Sequence, residues 1–127
     1  MPEACGQALL TCDSVAHDPA GKITLYGIFD RIVAPAFPTV HPLLSIYWRC
    51  AVPGPGRVGV SIARPDGTPM VELEPLETGQ EKGAVLQGAY TLGGLEFPVE
   101  GEYAVILRFN ADEVLRASLH LVRRPGA

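Results

Sequence analysis

The sequence predicts an all-β protein: an antiparallel β-sandwich, immunoglobulin-like, of seven to eight strands. Three observations lead there. Short runs with alternating apolar residues recur at roughly even spacing across residues 7–122. Clusters of Gly, Pro and Asp separate these runs, and no stretch carries a 3.6-residue helical period. Trp48 on a mid-chain strand and Tyr103 opening a late one are similar to the core tryptophan and tyrosine corner of immunoglobulin-like domains. No cysteine pair stands where the inter-sheet disulfide of such domains would go.

Residues 7–14 read as a first strand, with Leu10 and Cys12 on one face and Leu9 and Thr11 on the other. His17-Asp18-Pro19-Ala20-Gly21 is turn chemistry, with Gly supplying a positive φ. Residues 23–30, Ile-Thr-Leu-Tyr-Gly-Ile-Phe-Asp, form the most strand-like run of the chain. Ile23, Leu25 and Phe29 fall on one face, Tyr26 and Ile28 on the other. Apolar residues on both faces predict a central strand covered twice. Gly27 inside it predicts a bulge or a close approach of another backbone.

Residues 33–42 hold Pro35, Pro38 and Pro42, which argues against a helix and a central strand alike. An extended crossing between sheets is expected, with Phe37 and Val40 free to pack. Residues 43–51 then alternate, Leu44, Ile46, Trp48 and Cys50 inward, Tyr47 and Arg49 outward. Val58, Val60 and Ile62 mark the next strand. Pro65-Asp66-Gly67 is a hairpin turn, and residues 70–74 run back with Val71 and Leu73 inward. Residues 74–83 are acidic and loop-like. Residues 85–92 make a weaker strand, interrupted by Gly88 and ended by Gly93-Gly94. Tyr103, Val105, Leu107 and Phe109 alternate cleanly, as do Leu115, Ala117, Leu119 and Leu121 after a tight connection at residues 110–113.

Length and composition set bounds. A chain of 127 residues, 47% apolar, forms one domain with an ordinary core, ordered over about residues 7–122. A formal charge of −4, with ten basic residues scattered along the chain, argues against nucleic-acid binding. No apolar run approaches the roughly 20 residues needed to cross a bilayer, and residues 1–10 lack a signal-peptide pattern. Three irregularly spaced cysteines do not read as a disulfide framework. A cytoplasmic protein is expected.

Cys12-Asp13-Ser14, then Gly21-Lys22, then Leu25-Tyr26-Gly27-Ile28-Phe29-Asp30 resemble an opening shared by a family of uncharacterised bacterial proteins. Members continue with a Pro-Asp-Gly hairpin like Pro65-Asp66-Gly67 and close with a Pro-x-x-Gly-x-Tyr motif like the one from Pro98 to Tyr103. The similarity spans roughly residues 7–122. It departs at Asn110-Ala111-Asp112-Glu113, where a Gly-containing turn is usual. The resemblance implies a compact β-sandwich and brings no activity and no functional residue.

Residues that could carry chemistry fail on geometry. Ser14, His17 and Asp18 have the types of a hydrolase triad but crowd into one turn, without a strained nucleophile elbow. Cys5, Cys12, His17, His41, Cys50 and His120 lack the two-to-four-residue pairing of structural zinc ligands. Glu72 and Glu74 read as a solvated strand face. Thr78-Gly79-Gln80-Glu81-Lys82-Gly83 is Gly-rich but has no Gly-Lys-Ser/Thr. No catalytic residue, metal or cofactor is therefore expected, and the protein reads as a non-enzyme.

One feature points outward. Tyr26, Ile28, Tyr47 and Ile106 are apolar residues at positions facing away from the expected core. Sharing a sheet, they would form an exposed patch of the kind that marks a partner. The competing arrangement lays Phe37 and Val40 over the same face. The expected function is an interaction module, self-associating as a homodimer or binding another protein, without nucleic acid or membrane. The alternative is a small-ligand or carbohydrate-binding domain stacking its ligand on Tyr26, Tyr47 and Tyr90.

Overall fold

A computed structural model describes residues 4–79 and 83–126. Ten strands and no helix occur among them: β1 (Cys5–His17), β2 (Ile23–Ile28), β3 (Arg31–Ala34), β4 (Thr39–Ala51), β5 (Gly56–Ala63), β6 (Pro69–Glu72), β7 (Leu76–Thr78), β8 (Val85–Phe97), β9 (Gly101–Phe109) and β10 (Asp112–Arg123). They build a four-stranded sheet in the order β2-β1-β4-β8 and a six-stranded sheet in the order β3-β10-β9-β5-β6, with β7 also pairing β5. Every pairing is antiparallel except β3 with β10. The two strands beyond the expected eight are β3 and β7. Both arise in segments that read as crossing and loop.

Alternation places one apolar set from each sheet against the other. Leu9, Leu44, Ile46, Trp48, Cys50 and Phe97 come from the four-stranded layer; Val58, Val60, Ile62, Tyr103, Val105, Leu107, Leu119 and Leu121 come from the six-stranded one. The largest ring is accommodated by a glycine. Gly88 stands opposite Trp48, and a Cβ there would lie 2.8 Å from the indole. Gly88 therefore does not interrupt β8; it gives the indole its space. At the other side Gly6 lets β1 approach β10, where a Cβ would meet that of Leu115 at 2.7 Å.

Tyr103 closes the corner before β9. Its hydroxyl donates to the Val99 carbonyl at 2.6 Å and accepts from the Val99 amide at 3.2 Å, while its ring packs edge-on against Phe97. The fully buried phenol is thus satisfied in both roles.

The run at residues 23–30 does not lie where its pattern places it. β1 and β4, each of 13 residues, are the interior strands, and β2 forms the margin of the sheet. Only one face of β2 is covered: Ile23 and Leu25 are half-buried, whereas Tyr26 and Ile28 are exposed. Gly27 takes a positive φ of 66°, and a Cβ there would collide with the Asp13 carboxylate, so the close approach comes from a side chain.

The crossing between sheets does run through Pro35 and Pro38, from β3 in one layer to β4 in the other. Pro42, however, belongs to β4 itself. It is tolerated because β1 pairs only with Ser45 onward, leaving residues 39–44 paired with β8 alone. Phe37 packs against the core cluster and Val40 is exposed, so neither covers the outer face of the sheet.

Candidate interaction surface

The register of the four-stranded sheet defines its outer face. Ile28, Cys12, Ser45 and Thr91 form one rung across β2, β1, β4 and β8. Leu10, Tyr47 and Ala89 form the next. On the side away from Leu10, Tyr26 stands opposite Ser14 and Leu43 opposite Gly93. Cys12 and Ser45 are buried although they lie on this outer face. The Ser45 and Thr91 hydroxyls lie 3.1 Å apart and satisfy each other.

Leu10, Tyr26, Ile28 and Leu43 are exposed apolar groups of this face, as is Val85 at its far end, with Tyr26 at 54% and Ile28 at 59%. Toward the other end the character changes. The Tyr47 hydroxyl donates to Gln87 Oε1 at 2.5 Å, and Arg49 donates to Gln7 Oε1 at 2.8 Å and to Gln87 Oε1 at 3.3 Å. The apolar patch thus ends at a hydrogen-bonded polar border.

Three of the four predicted surface residues, Tyr26, Ile28 and Tyr47, therefore share one face. Ile106 does not join them. It lies on β9 in the other sheet and is only 3% exposed. Its outward parity holds, since the alternation puts Tyr103, Val105 and Leu107 into the core. But it forms the floor of a concavity of about 600 Å³, where Arg108, Arg116 and Glu72 are neighbours. Those charges are largely engaged: Arg108 donates to Ser61 Oγ at 2.8 Å, and Arg116 makes two bonds to Glu113 at 2.7 and 3.2 Å. Leu10 and Leu43 join the patch although alternation alone does not single them out: pairing opposite Tyr47 brings Leu10 to it, and Leu43 stands opposite Gly93.

The three tyrosines considered as a stacking platform are divided between faces. Tyr90 pairs with Ile46 on the core side, and its hydroxyl donates to the Glu74 carbonyl at 2.6 Å. Burial, and then the Glu74 charge, push that phenol's pKa up. Of Ser14, His17 and Asp18, the carboxylate is engaged in the turn: Asp18 Oδ1 accepts the amides of Ala20 and Lys22 at 2.9 and 2.8 Å, closing the first hairpin. Cys12 and Cys50 are buried and unpaired, Cys5 exposed and unpaired. Burial raises the Cys12 pKa, with the Asp13 charge adding to it, so this thiol keeps its proton and is a poor nucleophile. The Gly-rich loop at residues 78–83 falls partly on residues 80–82, outside the described residues. No helix among the described residues is long and apolar enough to cross a membrane.

A family model of unknown function, DUF6941, matches residues 7–122, the span that the sequence motifs delimit. The chain belongs to this family. The match covers every strand core of both sheets, so the outer face of this DUF6941 domain lies wholly within the family's span. No curated protein matches the chain.

Proposed function

We propose that this DUF6941 domain is an immunoglobulin-like β-sandwich that acts, without enzymatic chemistry, as an interaction module, and that it self-associates through the outer face of its four-stranded sheet. The observation that carries the reading is the joint exposure of Tyr26 and Ile28 beside Leu10 and Leu43, on a face that no other segment among the described residues covers. The Tyr103 corner and the two facing layers support the sandwich class. Unpaired cysteines support a reducing compartment, hence the cytoplasm.

Area supports a second copy as the occupant. Three strands of 13 residues and one of six, at about 4.8 Å spacing and 3.3 Å rise, give a face of roughly 700 Å². That is close to the ~800 Å² per partner of a stable complex. A flat face of Tyr, Ile and Leu also suits a two-fold contact, in which each patch meets its own copy. Light scattering across micromolar concentrations is the test. Association that weakens in Tyr26→Ala and Ile28→Glu supports the reading; a strict monomer, with both variants silent, removes it.

A further inference from the structure

The two sheets have five strands at their margins, and four of these carry features that discourage pairing with another chain. β2 has six residues, bends at Gly27 and is bracketed by Lys22 and Asp30. β3 has four residues, begins with Arg31 and runs into Pro35. β6 has four, with Pro69 and Glu72 at its ends, and β7 has three, with Glu77 at its centre. β8 differs in length and charge, although Gly94 near its end takes a positive φ of 65° as Gly27 does in β2. It runs for 13 residues, carries no charge before Glu96 and no proline, and pairs with β4 along its whole length without a register shift. Among the described residues no strand pairs with its other side.

Its side chains are also incompletely covered. On the core side Leu86, Tyr90 and Leu92 pack against the core cluster but remain half-buried, as follows from standing at the margin of a layer. On the outer side Val85 is exposed. A strand added beside β8 would cover both sets and satisfy the outward-facing main-chain groups at once.

We infer that β8 is a pairing edge, and that its occupant is the β8 of a second copy, antiparallel across a two-fold axis. Two copies of a chain with charge −4 repel over much of their surface. Across residues 85–95 they meet without any charge. An uncharged stretch of strand can pair antiparallel with its own copy, and the two-fold closes after one pairing. The product is a continuous eight-stranded sheet whose outer side joins the apolar faces of both copies. This pairing goes beyond the face contact proposed above and does not require it.

Amide hydrogen exchange in the intact protein, compared at low micromolar and near-millimolar concentration, tests the inference. Alternate amides across residues 85–93 should slow by about tenfold or more as concentration rises, in wild type and in Ile28→Glu alike. The double variant Val85→Lys with Ala89→Lys places charges along the outer side of the edge. It should abolish the concentration dependence while leaving the circular dichroism spectrum unchanged. β8 amides that exchange equally fast at every concentration, or a lysine variant that associates as wild type does, would overturn it. Association lost in Ile28→Glu with β8 amides never protected would uphold the face contact and reject the edge. Association lost only in the lysine variant would do the reverse.

Discussion

Ile28 and Ile106 carry the same side chain and were expected on one surface, but the fold gives them opposite energetic weight. Truncation to Ala removes three carbons. At about 0.8 kcal/mol per buried carbon, Ile106, only 3% exposed, loses about 2.4 kcal/mol of transfer free energy. The unfilled space left on the outward side of β9, among Ser61, Arg108 and Arg116, brings the total toward 3–4 kcal/mol, within the range of about 2–5 for such truncations. Ile28, at 59% exposure, has about two fifths of that burial to lose, so about 1 kcal/mol or less. Urea unfolding in dilute solution, where self-association does not contribute, reads the difference. With a slope of about 2 kcal/mol per M, the midpoint should fall by about 1.5–2 M for Ile106→Ala and by about 0.5 M or less for Ile28→Ala. Equal shifts, or a larger one for Ile28, would refute the assignment of faces.

Other outcomes follow from single contacts. Tyr103→Phe leaves the Val99 amide and carbonyl without their partner and should cost about 1–3 kcal/mol, with faster exchange of the Val99 amide. Gly27→Ala should cost about 1–2 kcal/mol from the left-handed backbone, plus the collision with Asp13; Asp13→Ala in the same chain should recover only the second part in a double-mutant cycle. Cys12 and Cys50 have raised pKa values in the folded protein. The unfolded chain then releases its thiol protons first, so stability present below the ordinary thiol value of 9.0 should fall as pH rises above it. Urea midpoints across that range should show the fall, and Cys12→Ala with Cys50→Ala should flatten it. A thiol reagent on the native protein should label Cys5 quickly and the two buried cysteines only on unfolding.

The sequence was most legible where one face of a strand meets the core. Leu44, Ile46, Trp48 and Cys50, and likewise Tyr103, Val105, Leu107 and Phe109, alternate so strictly that their burial could be read without coordinates. Turn chemistry was equally plain: Gly67 takes the positive φ that Pro65-Asp66-Gly67 requires, and at Asn110-Ala111 an asparagine takes the role of glycine with φ 56°. The misreadings share a physical cause. A strand apolar on both faces looks the same whether its second face is covered or bare, so β2 read as central when it is marginal. β1 and β4 are the interior strands, and Thr11 and Ser14 break the apolar pattern of β1. Gly88 looked like a defect because its reason, the Trp48 indole, is 40 residues away. Alternation gave Ile106 the correct outward parity, but parity carries no information on which sheet a strand joins or which neighbouring side chains stand over it.

Sedimentation velocity over a concentration series, run on wild type and on the Tyr26→Ala/Ile28→Glu double variant, tests the association reading most directly. Wild type should shift from monomer toward a larger species as concentration rises, and the double variant should require higher concentration for the same shift. Identical monomeric profiles for both proteins at every concentration would contradict it.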